Sequence, residues 1–362
     1  MTFVLRFLAV VSLFVPVCSI AVAEPQAEPQ GKSEIITFEA PGAGTAPGQG
    51  TVPRSISSSD EVTGEFYDSH EAVHGFLRTA DGTITALDVP GASTANGQGT
   101  FPRSINPSGE IAGLYNDASH LVTRGFVRSS SGVITTFDGL PMGINSRGQT
   151  TGTVSGRHGF IRDSDGTMTI FDAGPVGTFP QSINPSGEVA GYYADFTFIP
   201  HGFVRDRDGE ITTFNVGSSN PTFPTSINPK GEITGFYSDS ASMTHGFVRE
   251  KDGKIRTFDA GPSDTTVTSI NPGGEITGYF FGADKLAQGF MRARNGDIDA
   301  FEIPGSGGPF FGDGTLPQSI NPGREVTGVY TDAIGSYHGF LRRANHDKES
   351  GKAHDDEPGR AH

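Results

Sequence analysis

The sequence predicts an all-β fold, a seven-bladed β-propeller with four-stranded blades, and three observations carry that expectation. A Gly-Phe pair followed by an aliphatic residue or methionine and then arginine recurs at Gly75-Phe76, Gly125-Phe126, Gly159-Phe160, Gly202-Phe203, Gly246-Phe247, Gly289-Phe290 and Gly339-Phe340. A fixed period of this length decides an architecture before any single residue does. Each copy also holds four short segments of β character punctuated by turns. Lastly, 51 glycines and 24 prolines without a collagen period imply frequent turns, while 27 phenylalanines supply regular apolar anchors.

Read from its start, the chain opens with Arg6, the apolar run from Phe7 to Val17, and Ala21-Val22-Ala23 before Glu24. That is the three-part form of an export signal over residues 1–23. The apolar run is too short for a membrane-spanning helix, and no later stretch reaches the roughly 20 apolar residues a crossing needs. The only cysteine, Cys18, falls inside the signal and follows Val17, where a lipid anchor wants a small residue. The mature protein is expected to be secreted, whether to the periplasm, the cell surface or the medium. Residues 24–33 read as a polar linker, expected to be disordered.

The first β segment, Glu34 to Glu39, has the character of the fourth segment of a repeat. One complete repeat shows all four: Phe223 to Asn228 (a), Glu232 to Tyr237 (b), Thr244 to Glu250 (c) and Lys254 to Asp259 (d). Asn228-Pro229-Lys230-Gly231 between a and b carries type I turn residues. Asp252-Gly253 between c and d is a two-residue hairpin signal. A four-strand meander of this size cannot bury both faces alone, so copies must stack. A parallel β-helix has shorter coils and lacks this hairpin punctuation, so blades of a propeller fit better.

Segment a occurs seven times, centred on Ile56, Ile105, Ile144, Ile183, Ile227, Ile270 and Ile320, yet the chain begins with a d segment and its last copy lacks one. The simplest closure makes Ile35-Ile36-Thr37-Phe38 the outer strand of the last blade. The propeller is therefore expected over residues 34–343. Residues 344–362 mix charged residues, Gly and Pro without periodicity and read as a disordered tail.

The net charge is −15; a signal that carries only Arg6 leaves −15 − 1 = −16 on the mature chain. Such a charge repels nucleic acid. Without cysteine, the mature chain has no disulfides or thiolate ligands.

The elements around Gly-Phe resemble the extracellular repeat proteins named the HAF family after a recurring His-Ala-Phe. The matching places read His74-Gly75-Phe76, His158-Gly159-Phe160, His201-Gly202-Phe203, His245-Gly246-Phe247 and His338-Gly339-Phe340, with Arg124 and Gln288 replacing histidine in two copies and glycine replacing alanine throughout. The resemblance spans nearly all of residues 34–343 and implies a bacterial extracellular or cell-surface setting. It implies no activity and no catalytic residue.

The conspicuous repeated residues read as scaffold. Arginine follows every Gly-Phe pair (Arg78, Arg128, Arg162, Arg205, Arg249, Arg292, Arg342), and glutamate opens segment b in six copies, with Gln149 in the other. Their recurrence suggests an intra-blade ion pair or a clamp on the turns. Repeated histidines are spread around a ring by symmetry, so they suit blade-internal hydrogen bonds and not a metal site, and no metal or other cofactor is expected. The asparagines Asn106, Asn184 and Asn228, and the aspartates Asp68, Asp117, Asp195, Asp239 and Asp332, suit turns.

Specificity is better sought where copies differ. The d-to-a and b-to-c connections are long and variable and share one face, which is the candidate binding surface. At the exit of each d-to-a loop, one place per blade varies: Arg54, Arg103, Met142, Gln181, Thr225, Thr268 and Gln318. On innermost strands these crowd the mouth of a central channel, and Arg54, Arg103, Gln181, Thr225, Thr268 and Gln318 are the polar ligand-binding candidates. The third copy is abbreviated at Gly139 to Gly143 and Ser155 to Arg157, which leaves a notch in the rim. No nucleophile elbow, phosphate loop or zinc-protease helix occurs. The leading expectation is a monomeric, non-enzymatic binding module for a glycan or protein. A polysaccharide lyase or hydrolase with acid–base groups on separate blades, and a purely structural surface protein, are its rivals.

Overall fold

A computed structural model describes residues 33–343 apart from 121, 218–220 and 311. The expected export signal, almost all of the linker and the tail lie outside the described residues. Within them every regular element is a β-strand.

The sheets are four-stranded antiparallel meanders in a propeller-like arrangement, in the a-b-c-d order read from the sequence. In the fifth repeat the strands are Thr222–Ile227, Ile233–Ser238, Thr244–Arg249 and Ile255–Phe258. The N-terminal strand Glu34–Phe38 pairs antiparallel with Tyr337–Arg343, from Glu34 opposite Arg343 to Phe38 opposite Gly339. The last repeat, which has no d strand of its own, thus has one supplied by the start of the chain.

Successive repeats touch in a recurring way. Where strand c begins, its first amide donates to the loop before strand a of the next repeat: Val73 to the Gln98 carbonyl at 2.9 Å and Ala287 to that of Asp313 at 2.7 Å. Tyr337 makes the same bond to Gln49 at 2.7 Å, linking the last repeat to the first.

The core lies between sheets. All seven phenylalanines of the Gly-Phe pairs are fully buried, each worth about 2–3 kcal/mol of burial. They are joined by the strand-a isoleucines and by the apolar opening residues of strand b. The glycine beside each phenylalanine is a packing necessity. A Cβ on Gly246 would lie 2.6 Å from the Phe258 ring, and one on Gly339 would lie 2.7 Å from that of Phe38. Alanine does not fit under these rings.

The repeated arginines and glutamates do not pair with each other, which corrects the expected intra-blade bridge. Six of the seven arginines instead reach the d-strand phenylalanine of the preceding repeat, as in Arg78 over Phe38 at 5.0 Å, Arg162 over Phe137 at 4.8 Å and Arg249 over Phe214 at 5.0 Å. A guanidinium is flat and weakly hydrated, so a ring face and one carbonyl suffice for it. Arg128 follows a repeat whose d strand offers Leu87 and has no such ring. Glu110, Glu188, Glu232 and Glu325 accept from the turn asparagine of their own repeat, as in Glu232 with Asn228 at 2.7 Å. Several also pair with a cation of the next repeat, such as Glu188 with Lys251 at 3.3 Å and Glu232 with Arg294 at 3.0 Å.

The asparagines do more than turn the chain. Asn228 Oδ1 accepts from the Lys230 and Glu232 amides at 3.0 Å, while its Nδ2 donates to the Asn271 carbonyl of the next repeat at 3.2 Å. The same handover runs from Asn106 to Asn145, Asn145 to Asn184, Asn184 to Asn228, Asn271 to Asn321, and Asn321 to Ser57. The first repeat carries Ser57 in this place, a side chain too short to pass the bond onward.

At the c–d hairpin Gly253 has φ +94°, while Asp252 is not among the positive-φ residues. The connection is therefore a type I turn closed by a left-handed glycine, not the two-residue mirror turn expected from Asp-Gly, which needs both residues left-handed.

Candidate functional site

Strand a of every repeat carries a β-bulge at the same place, between Pro53 and Ser55 in the first and between Pro224 and Ser226 in the fifth. A bulge leaves one residue unpaired and re-aims its side chain. The bulged residues are the seven variable ones: Arg54, Arg103, Met142, Gln181, Thr225, Thr268 and Gln318. All seven line a single cavity of about 430 Å³.

Their height differs from the sequence expectation. They stand in the second half of strand a, three residues before the Asn or Ser that opens the a–b turn, and not at the loop exit. They form the wall of the cavity and not its rim, because the loop-side half of each strand is already committed to pairing. A serine follows the bulge in every repeat but the third, which has Gly143, and it bridges neighbouring strands: Ser55 Oγ accepts from the Ile105 amide at 3.3 Å, and Ser319 Oγ from that of Ile56 at 3.4 Å.

Two positions along the strand toward the loops, a second layer reads Val52, Phe101, Leu140, Phe179, Phe223, Thr266 and Leu316. Phe179 stacks on Tyr192 at 5.0 Å, Tyr192 meets Phe223 edge-on at 5.4 Å, and Phe223 stacks on Phe236 at 5.0 Å. Phe236 itself lines the cavity. A run of half-buried rings thus leads away from the cavity at Phe236 across the fourth and fifth repeats.

The first and second repeats are different. Arg54 Nε and Nη2 both donate to Glu65 Oε1, at 2.8 and 2.5 Å, and Arg103 Nη1 stands 3.7 Å from the same oxygen. Glu65 is almost completely buried. Burial alone would loosen the Arg54 proton, but the Glu65 carboxylate overcomes it and holds that guanidinium above its ordinary range. Arg103 is pushed below its ordinary range by burial, which outweighs its weaker contact with Glu65.

Sequence reasoning did not single out Glu65 or the aromatic run. The signal was available: aligned on Gly64, Glu65 stands where other repeats have Leu114, Thr153, Tyr192, Phe236, Tyr279 and Val329. A lone acid in an otherwise neutral column marks a partner for a nearby cation.

The repeated histidines are held within their blades. His245 Nδ1 meets Asp259 at 2.6 Å and its Nε2 meets Asp239 at 3.4 Å, while the ring stacks on Tyr237. Burial opposes the charged form of His245, yet these two acids together raise its pKa. Asp239 Oδ1 accepts from the Ala241 and Met243 amides, the expected turn. Arg124, where a histidine is missing, reaches the equivalent acids Asp138 and Asp117. Among the described residues no group of three or more His, Cys, Asp or Glu could hold a metal ion.

At the loop-bearing end several large apolar side chains stand free, with Phe196 81% and Phe198 74% exposed beside Phe310 and Ile334. Among the described residues no helix is long and apolar enough to cross a membrane.

No family model matches the chain, and no curated protein matches it. Solved structures do. A streptogramin B lyase matches with a TM-score of 0.56 at 16% identity, over 86% of this chain and 98% of that one. A catalytically inactive virginiamycin B lyase from Staphylococcus aureus, solved with quinupristin, gives 0.55 at 15%, over 86% and 99%. A puromycin hydrolase gives 0.53 at 14%, over 78% of this chain and 50% of that one. At such identities the likeness speaks for the fold alone. The chain is an all-β, propeller-like protein.

Proposed function

We propose that the chain is a seven-bladed ring closed by its own first strand, exported from a bacterial cell, whose central cavity and loop-bearing face bind a glycan or protein without catalysing a reaction. The observation that carries this reading is the cavity wall. One bulged side chain comes from each strand a, and the seven vary among Arg, Met, Gln and Thr while the proline before them and the serine after them repeat in six of the seven. A scaffold that holds its repeats alike yet varies one inward place per repeat is built to select a ligand.

Closure is supported by the pairing of Glu34–Phe38 with Tyr337–Arg343 and by the Asn321 side chain reaching Ser57. Export is supported by the form of residues 1–23 and by the resemblance to extracellular repeat proteins. The binding reading is supported by the lining, which among the described residues is built of Arg, Gln, Ser, Thr and apolar side chains, with no carboxylate or histidine to serve as acid or base. The exposed Phe196 and Phe198 give the loop face an apolar element suited to a partner.

Screening the purified protein against an array of glycans tests the proposal. Binding that disappears when Gln181, Thr225 and Gln318 are together replaced by alanine supports the cavity; binding that survives moves the site elsewhere. Turnover of any bound glycan overturns the non-enzymatic reading.

A further inference from the structure

We infer that the cavity recognises an acidic sugar, with Arg54 and Arg103 receiving the carboxylate of a uronate residue and the aromatic run receiving the face of a pyranose ring. The inference rests on the reading of the cavity as a binding site and names the chemistry of its ligand.

Charge is the first argument. Among the described residues, Arg54 and Arg103 are the only charged side chains in the lining. Both converge on one oxygen of Glu65, so one carboxylate faces two guanidiniums and the cavity wall keeps a net positive charge. Arg103 Nε is buried with no hydrogen-bond partner. A cationic wall is unusual in a chain whose net charge is −15. A guanidinium fork matches a planar carboxylate in geometry as well as charge.

The second argument is shape. The rings of Phe236, Phe223, Tyr192 and Phe179 form a continuous half-buried surface, of which Phe236 faces the same cavity as the two arginines. Flat apolar surface with a polar rim suits the C–H face of a sugar ring, and Gln181, Thr225 and Gln318 supply amide and hydroxyl groups for its hydroxyls. A volume of about 430 Å³ lies within the range of small-ligand pockets. A neutral glycan would leave the two guanidiniums with the single Glu65 carboxylate between them; a nucleotide or other polyanion would meet one net charge only.

The test is titration calorimetry of the purified protein, at low ionic strength, with hexamers of galacturonate and mannuronate, a hyaluronan hexasaccharide, fully methyl-esterified oligogalacturonate, cellohexaose and xylohexaose. At least one uronate oligosaccharide should bind, with affinity falling as salt is added. R103Q, which leaves the Arg54–Glu65 pair in place, should weaken it by roughly tenfold. E65Q removes the competing internal carboxylate and should tighten it. A melting curve for each variant separates loss of binding from loss of fold. Uronates that fail to bind, that bind no better than the methyl ester, or that bind R103Q as well as the parent overturn the inference. If cellohexaose or xylohexaose then binds and F236A abolishes it, the cavity still binds glycans and only the acidic sugar is wrong.

Discussion

The guanidinium of Arg78 lies 5.0 Å from the centre of the Phe38 ring, and through that contact the first strand of the chain is bound to the repeat that follows it as well as to the last one. Phe38 also meets Phe76 edge-on at 6.2 Å. Its ring covers Gly339, leaving no room for a Cβ there. One side chain therefore touches both ends of the repeat array.

Replacing Phe38 by alanine is expected to cost about 2–4 kcal/mol, from lost burial plus the cation–π contact. A chain beginning at Gly42 loses the entire five-residue pairing and should melt well below the parent. Thermal unfolding followed by circular dichroism reads both. Equal melting temperatures for the shortened and full chains would show that the strand does not hold the ring.

Ser57 marks the one gap in the relay of turn asparagines. Ser57→Asn should retain the turn bonds that Ser57 Oγ now accepts from the Ser59 and Glu61 amides, and add a donor toward the Asn106 carbonyl. The expected gain is about 1 kcal/mol. In the reverse direction, Asn228→Ala removes two turn bonds and the handover to Asn271 from a buried site, for a loss of roughly 2–4 kcal/mol. Urea unfolding of both variants checks the pair, and a neutral Ser57→Asn would mean that the neighbouring carbonyl already has a partner.

The junction between last and first repeats is also where titration should show. Burial, a hydrogen bond with Asp60 and repulsion from its charge push the Glu325 carboxyl up to about 7, against the opposing pull of Asn321 and Arg343. Its ordinary value is 4.5, so the folded chain holds this proton more tightly than the unfolded one. The stabilisation is complete below pH 4.5 and is lost as pH rises through 7. Glu325→Gln mimics the protonated form. It should melt above the parent at pH 8, with the difference shrinking toward pH 4.5. A gap that stays constant across this range would refute the assignment.

How much of this was legible in the sequence depended on whether a residue acts inside its own repeat or across to the next. Strand order, the displaced first strand and the turn role of the aspartates came from local pattern alone. The ring that faces Arg78 did not, because Arg78 and Phe38 belong to different repeats and their spacing matches no periodicity. The height of Arg54 and Arg103 was misjudged for a related reason: a bulge adds a residue to a strand without announcing itself, and only the pairing of Pro53 with Gly64 and Ser55 with Thr63 shows it. Glu65 was overlooked since attention went to what repeats, and Glu65 matters because its column does not.

The glycine of each Gly-Phe pair offers a last measurement, on why no side chain is carried at that place. A Cβ at Gly246 would meet three atoms of the Phe258 ring at 2.6 to 2.9 Å. The ring cannot retreat freely, since it also packs edge-on against Phe290 and lies under Arg292 in the next repeat. Gly246→Ala is therefore expected to destabilise by about 1–3 kcal/mol through overpacking. Phe258→Leu alone forfeits the ring's contacts with Phe290 and Arg292. In the double variant the smaller leucine leaves room for the new methyl group, so the combined loss should be less than the sum of the two. Urea unfolding of the four chains in this cycle gives the coupling directly. Strict additivity would mean that the new methyl group is not opposed by the Phe258 ring.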